Sequence, residues 1–145
     1  MLDTIRFRLS LILALALGSA VIATAGDFWI SIQNSSTIKD GSARNAIVLV
    51  RADGCHNPAD ATITATAEGL VNGVRRSIPL KLEPVSQPAT FAVTRQWPAE
   101  GVWVLKVNAA YRGLERGAIV RLGKQSSELF HRKVTSEDVD SALKL

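Results

Sequence analysis

From residue 27 onward the apolar positions of this 145-residue chain recur at every second place rather than every third or fourth. That is the period of half-buried strands, not of helices. The clearest stretch is residues 61–68, where Ala61, Ile63, Ala65 and Ala67 alternate with Thr62, Thr64, Thr66 and Glu68. A strand of this kind buries one face and leaves the other in water. Val74, Ile78, Leu80 and Leu82 repeat the pattern against Arg75, Ser77, Lys81 and Glu83, and Pro79 on the outward set marks an edge strand. Residues 46–51 are apolar on both faces, as in a central strand. Residues 28–32, 90–97, 102–111 and 117–122 complete a set of seven.

Turn signals separate these runs: Lys39-Asp40-Gly41, Asp53-Gly54, Asn72-Gly73, Pro98-Ala99-Glu100-Gly101 and Arg112-Gly113. Asn72-Gly73 is the sharpest of them, because a two-residue turn requires positive φ at both positions and Asn-Gly tolerates it best. No amphipathic helical stretch intervenes, so successive strands pair antiparallel. The expected fold is all-β: a single antiparallel immunoglobulin-like β-sandwich of about seven strands over residues 26–122. Its core is expected to hold Ile30, Val48, Ile63, Leu80, Phe91, Trp103, Leu105 and Val120. Residues 123–145 read as a mobile C-terminal tail, irregular from 125 to 133. Thr135-Ser136-Glu137-Asp138 then caps a short helix carrying Val139, Ala142 and Leu143, too short to persist unless it docks.

Ahead of the strands, Arg6 and Arg8 lead into an apolar stretch, residues 9–23, that ends at Ala23-Thr24-Ala25. This three-part pattern is that of a secretory signal peptide, residues 1–25, whose removal leaves Gly26 first and the domain periplasmic or secreted. The alternative is retention of residues 9–25 as a membrane anchor, at the lower edge of the roughly 17–25 residues that span a bilayer. Membrane contact follows only from that alternative.

Without residues 1–25, Lys plus Arg falls from 17 to 15 and Asp plus Glu from 13 to 12, a net charge of +3. The signs alternate along the chain and no basic run is interleaved with aromatics, so no nucleic-acid partner is expected. Cys55 is the single cysteine, so the monomer holds no internal disulfide and its core must stabilise it unaided.

Two places carry chemistry worth weighing. Cys55-His56 joins a thiol to an imidazole, the ligands that suit Cu(I) or Zn(II). A third ligand would have to come from His131, Asp53 or Asp60, and adjacent side chains diverge in extended backbone. Read structurally, Cys55 is a packing residue and His56 opens a turn closed by Asn57-Pro58. Trp97 and Trp103, in Trp97-Pro98-Ala99-Glu100-Gly101-Val102-Trp103, flank a tight connection expected to form a hairpin end. They read either as a binding platform at the rim or as core residues, with Trp103 between the sheets and Trp97 over its end. Catalysis finds no support: His56 and His131 are the two histidines, neither lies in a nucleophile signature, and no cofactor-binding motif is present.

Around this connection, Pro88, Phe91, Val93, Pro98, Gly101, Trp103, Leu105 and Val107 form a pattern that resembles the exported immunoglobulin-like domains of the YtkA-like and FixH-type families. The resemblance implies an envelope β-sandwich, often associated with metal or respiratory-enzyme housekeeping, and carries no catalytic residue. The expected function is that of an exported, non-catalytic binding or assembly module of the bacterial cell envelope, needing no cofactor, with another envelope protein as partner. The alternative is a periplasmic copper- or zinc-handling accessory protein using Cys55 and His56. Protein recovered from a secreting host is expected to show the intact mass of a chain beginning at Gly26. A membrane-bound species retaining residues 9–25 would establish the anchored form instead.

Overall fold

The computed structural model describes residues 27–54, 57–124 and 126–144. Among them are nine strands: β1 (Phe28–Gln33), β2 (Ala46–Gly54), β3 (Thr62–Val71), β4 (Val74–Leu80), β5 (Leu82–Pro84), β6 (Thr90–Thr94), β7 (Val102–Tyr111), β8 (Leu114–Arg121) and β9 (Ser126–Phe130). One helix, α1 (Ser136–Leu143), follows them. The strands form two antiparallel sheets, ordered β1-β2-β6-β5 and β4-β3-β7-β8-β9. Setting β9 aside, this is the immunoglobulin order, with β4 as the extra strand that variable-type domains add to the second sheet.

The inward faces meet in one core. Ile30, Val50 and Val93 come from the four-stranded sheet, and Ala67, Trp103, Leu105, Val107 and Val120 from the five-stranded one. Of the expected core residues, Ile30, Trp103, Leu105 and Val120 are buried, and Val48, Ile63 and Leu80 pack at the margin. Phe91 is half-buried, because β5, its outer neighbour, ends at Pro84 directly opposite it. β2 is apolar on both faces for a physical reason: Leu49 packs outward with Ala92 beneath Ala43, Ile38 and Val85.

On the inner strands of the five-stranded sheet, near one end of the β3–β7 ladder, Trp103 lies opposite Gly69 of β3. A Cβ at Gly69 would sit 2.4 Å from the indole, so the absence of a side chain there makes room for the ring. The indole N–H of Trp103 donates to the carbonyl of Glu100 at 2.6 Å. The turns form as their sequences indicate: Asn72 and Gly73 have φ of 50° and 78°, and Arg112 and Gly113 repeat the pair at 49° and 79°.

Two strands exceed the seven expected. The run over residues 74–83 is not one strand but two, since the chain changes sheet at Lys81: β4 pairs with β3, and β5 pairs with β6. The Gln96 side chain holds this crossing. Its Oε1 accepts from the Lys81 N–H at 2.9 Å, and its Nε2 donates to the Lys81 carbonyl at 3.0 Å.

The expected mobile tail is the other correction. Residues 126–130 pair along β8 from Arg121–Ser126 to Gly117–Phe130. Ser-Ser-Glu-Leu-Phe has no clear alternation, so its strand state comes from the free edge of β8 and not from its own pattern. The helix forms where its cap predicts, with Thr135 and Asp138 closing a reciprocal capping box. Arg132 pairs with Asp138 in addition, at 2.6 Å. Val139, Ala142 and Leu143 bury against Val104 and Ile119 on the outward face of the five-stranded sheet, which supplies the docking so short a helix needs. No helix among the described residues is long and apolar enough to cross a membrane.

Trp103→Ala is expected to cost roughly 3–5 kcal/mol, as for other buried large aromatics. Gly69→Ala, which drives a methyl group into the ring, is expected to cost roughly 1–3 kcal/mol by overpacking. Thermal or urea unfolding of the two variants beside the parent measures both, and parent-like melting of Trp103→Ala would contradict the packing described.

Candidate binding cleft

The two sheets differ in width by one strand: β1 packs against β8, and β9 extends beyond it with no strand of the other sheet opposite. Between β1–β2 and β8–β9 this leaves a cavity of about 450 Å³. Its walls include Ile32, Gln33, Val48, Val120 and Ser127. A second cavity of about 450 Å³ opens beneath residues 95–101 and is lined by Arg95, Trp97, Ala99, Val102 and Trp103. Ile47 and Leu122 line both, so the two are parts of one cleft across an end of the sandwich. Each is within the usual size range of small-ligand sites, ~300–1,000 Å³.

The cleft exists because of where particular strands stop. Ile47, the second residue of β2, lies beyond the reach of the 34–45 segment that covers Leu49, and it remains 44% exposed. Val102 begins β7 with its side chain turned away from the core and is 56% exposed. Leu122 follows the last residue of β8. Large apolar side chains therefore stand at the rim of a cleft whose inner wall is tryptophan.

No carboxylate lines either cavity. The Arg95 guanidinium spans the connection, donating to the carbonyls of Trp97 and Pro98 at 3.5 and 3.3 Å. Arg121 is already paired with Glu128 at 3.2 Å. This is a lining that holds apolar groups beside backbone and hydroxyl groups; it brings no acid, base and nucleophile together.

The sequence candidates fall as follows. Trp97 and Trp103 are both buried, at 7% exposure, and belong to the main core. They do not flank a hairpin: β6 and β7 lie in different sheets, and residues 95–101 carry the chain from one to the other. The turn chemistry of Pro98 and Gly101 suits a sheet-to-sheet crossing as well as a hairpin, which is why local sequence did not separate the two. The tryptophans close the inner wall of the cleft instead of standing on its rim. Cys55 and His56 lie outside the described residues. Of the residues weighed as a third ligand, Asp53 accepts from Ser31 and pairs with Arg51, Asp60 accepts from Asn57, and His131 is exposed after β9. Among the described residues no three of His, Cys, Asp and Glu gather in a metal-binding group. Sequence reasoning passed over Ile47 and Val102, and placed Leu122 on the inward row of the last strand, where it packs at the margin of the core. The signal of Ile47 and Val102 was an apolar residue near a strand end on the face opposite the core, which only the packing of neighbouring segments distinguishes from burial.

Glu68 departs from its expected place in water. It is 5% exposed on the outward face of β3. Thr66 and Ser77 each donate to its carboxylate at 2.9 Å, Lys106 approaches to 3.2 Å and Arg75 to 3.6 Å. Arg75 also reaches Asp140 of α1 at 3.1 Å, tying the helix to this cluster. Burial opposes ionisation, but the hydrogen bonds from Thr66, Ser77 and Lys106, with the Lys106 charge, outweigh it and hold the carboxyl below its ordinary value. Glu68 is therefore an ionised acceptor rather than a proton donor near neutrality. Set against protein-family models, curated proteins and solved structures, the chain matches none.

A carboxyl whose pKa is lowered by folding stabilises the fold above its unfolded-state value, and the stabilisation disappears as pH falls through the folded-state value. Glu68→Gln is expected to cost roughly 1.5–3 kcal/mol at neutral pH, the range for hydrogen bonds to a charged group. The gap to the parent should narrow as pH drops below the ordinary carboxyl value of 4.5. Urea unfolding of both proteins between neutral and acid pH measures it, and a gap independent of pH would contradict the ionised assignment.

Proposed function

We propose that this protein is an exported, non-catalytic binding or assembly module of the bacterial cell envelope, and that the cleft receives an apolar segment of another envelope protein. The observation that carries the reading is the exposure of Ile47 and Val102 over a cleft walled by Trp97 and Trp103. Apolar side chains grouped at a concave rim are a feature of recognition surfaces, whereas scattered ones are ordinary. Tryptophan and arginine beside them are the residue types enriched at the centres of such surfaces. The signal-like residues 1–25 and the resemblance to the YtkA-like and FixH-type families support an envelope location and a role without chemistry of its own.

A photo-crosslinking residue placed at Ile47 or Val102 in the producing cells tests the proposal. Both positions are expected to yield an adduct with the same envelope protein. Ala110, exposed at the other end of β7, is expected to yield none. Ile47→Asp should suppress the Val102 adduct while leaving the melting temperature of the purified protein unchanged. Adducts absent from both cleft positions, or equally abundant at Ala110, would sink the reading.

A further inference from the structure

We infer that the free edge of β1 accepts an extended strand from another protein, which completes the four-stranded sheet and covers the bare inward face of β9. The inference deepens the binding reading and rests on it.

The four sheet edges are not alike. On one side, β4 carries Arg75, Arg76 and Pro79, and the three-residue β5 carries Glu83 and Pro84. Charge, proline and shortness are the devices that keep edge strands from pairing with other chains. On the other side, β1 reads Phe-Trp-Ile-Ser-Ile-Gln, with neither charge nor proline over six residues. An unguarded edge is a template for strand addition.

The polarity of the ladder shows which groups this edge offers. The N–H of Ala52 donates to the carbonyl of Ala89, on the β6 side of β2. Directions alternate along a strand, so Ala52 and Val50 turn away from β1 while Arg51 and Asp53 turn toward it. Their antiparallel partners follow suit: Ser31 and Trp29 bond to β2, while Phe28, Ile30 and Ile32 turn their N–H and C=O groups to the open edge. The Phe28 carbonyl agrees with this geometry, since it is taken by Arg116 at 2.9 Å. Ile30 and Ile32 are left to pair with an incoming strand.

What lies beneath that edge is equally incomplete. Ser127 and Leu129 of β9 pair with the core residues Val120 and Ala118, so they face the same way as those residues, toward the other sheet. The four-stranded sheet ends at β1 and has no strand to set over them. Leu129 is 57% exposed although it points inward, and the cavity between β1 and β9 occupies the gap. A strand alongside β1 would lay alternate side chains over Leu129 and into this cavity. β1 carries no charge, and the one charged residue of the cavity lining, Arg121, is already neutralised by Glu128. Charge complementarity therefore selects an occupant that is uncharged over its central residues, with apolar side chains at every second position. The residues that precede β1 in this chain, 1–26, are removed almost entirely by signal cleavage in the reading above, which leaves the edge to a strand supplied in trans.

The probe is a synthetic peptide of about ten residues, a full strand length, of alternating valine and threonine with a lysine at each end. It is added to protein from a secreting host, and amide hydrogen exchange is read by NMR. In dilute protein alone the Ile30 and Ile32 amides should exchange rapidly. Excess peptide should slow both by at least about tenfold, the protection that follows when an open amide is paired. Leu129→Lys, at an exposed position, should abolish the slowing with an unchanged melting temperature, Ser127→Lys should do the same, and Val74→Lys should have no effect. No slowing in the parent, or slowing that survives both lysine variants, overturns the inference. Protection in dilute protein without peptide assigns the edge to this chain's own residues, and protection that grows with protein concentration assigns it to a second copy; either overturns the strand supplied in trans. The Ile47 and Val102 crosslinks report separately on the cleft, so strand addition can fail while the binding reading stands.

Discussion

Everything in this domain is arranged around the placement of one indole. Trp103 enters the core at the start of β7, and it fits because β3 presents Gly69 directly opposite, without a side chain. The contact couples the β3–β7 register to the filling of the inter-sheet space, since a shift by one residue would bring Glu68 or Leu70 under the ring and turn the inward row of β7 outward. Leu105, Val107 and Ala109 fall on the core side as a consequence. With no internal disulfide available to the monomer, the burial of this row against Ile30, Val50 and Val93 carries the stability that small disulfide-rich scaffolds obtain from cross-links.

The outward face of the same sheet is organised by a charge rather than a ring. Glu68 is almost removed from water, and it keeps its ionisation through two hydroxyls and a lysine, with Arg75 close by. A carboxylate so enclosed is costly unless every partner stays in place, which makes the cluster a means of specifying one arrangement more than a net source of stability. Arg75 extends that arrangement to Asp140, and α1 is thereby held on one side by an ion pair and on the other by Val139 and Leu143 over Ile119. Helix and β9 together convert a sheet that would otherwise expose Val104 and Ile119 into one with two covered faces.

β9 also sets the functional geometry. By widening one sheet and not the other, it creates the gap beside β1, and that gap is continuous with the cleft at the end of the sandwich through Ile47 and Leu122. The two opposite edges carry charge and proline, and one of them is only three residues long, whereas β1 carries neither charge nor proline. In the proposed binding role, backbone pairing at β1 and apolar contacts in the cleft would lie on the same side and constrain each other.

The alternation of residues 61–68 and 102–111 was enough to orient β3 and β7, because period two follows from the pleat itself and survives any tertiary context. The Asn72-Gly73 turn and the Thr135–Asp138 cap were likewise legible, since both depend on local backbone geometry and hydrogen bonding within a few residues. The splitting of residues 74–83 between sheets, the crossing at 95–101 and the strand state of 126–130 were not legible, because each is decided by which distant edge is available for pairing. The cleft belongs to this second group. Ile47 and Val102 have the composition of core residues, and Trp97 and Trp103 were open to being a platform or a core; only the lengths of neighbouring strands decided which of the four would meet water. Local periodicity thus determined the strands and their inward faces, while the competition of non-local edges for partners decided the sheets, their unequal widths and the surface they leave open.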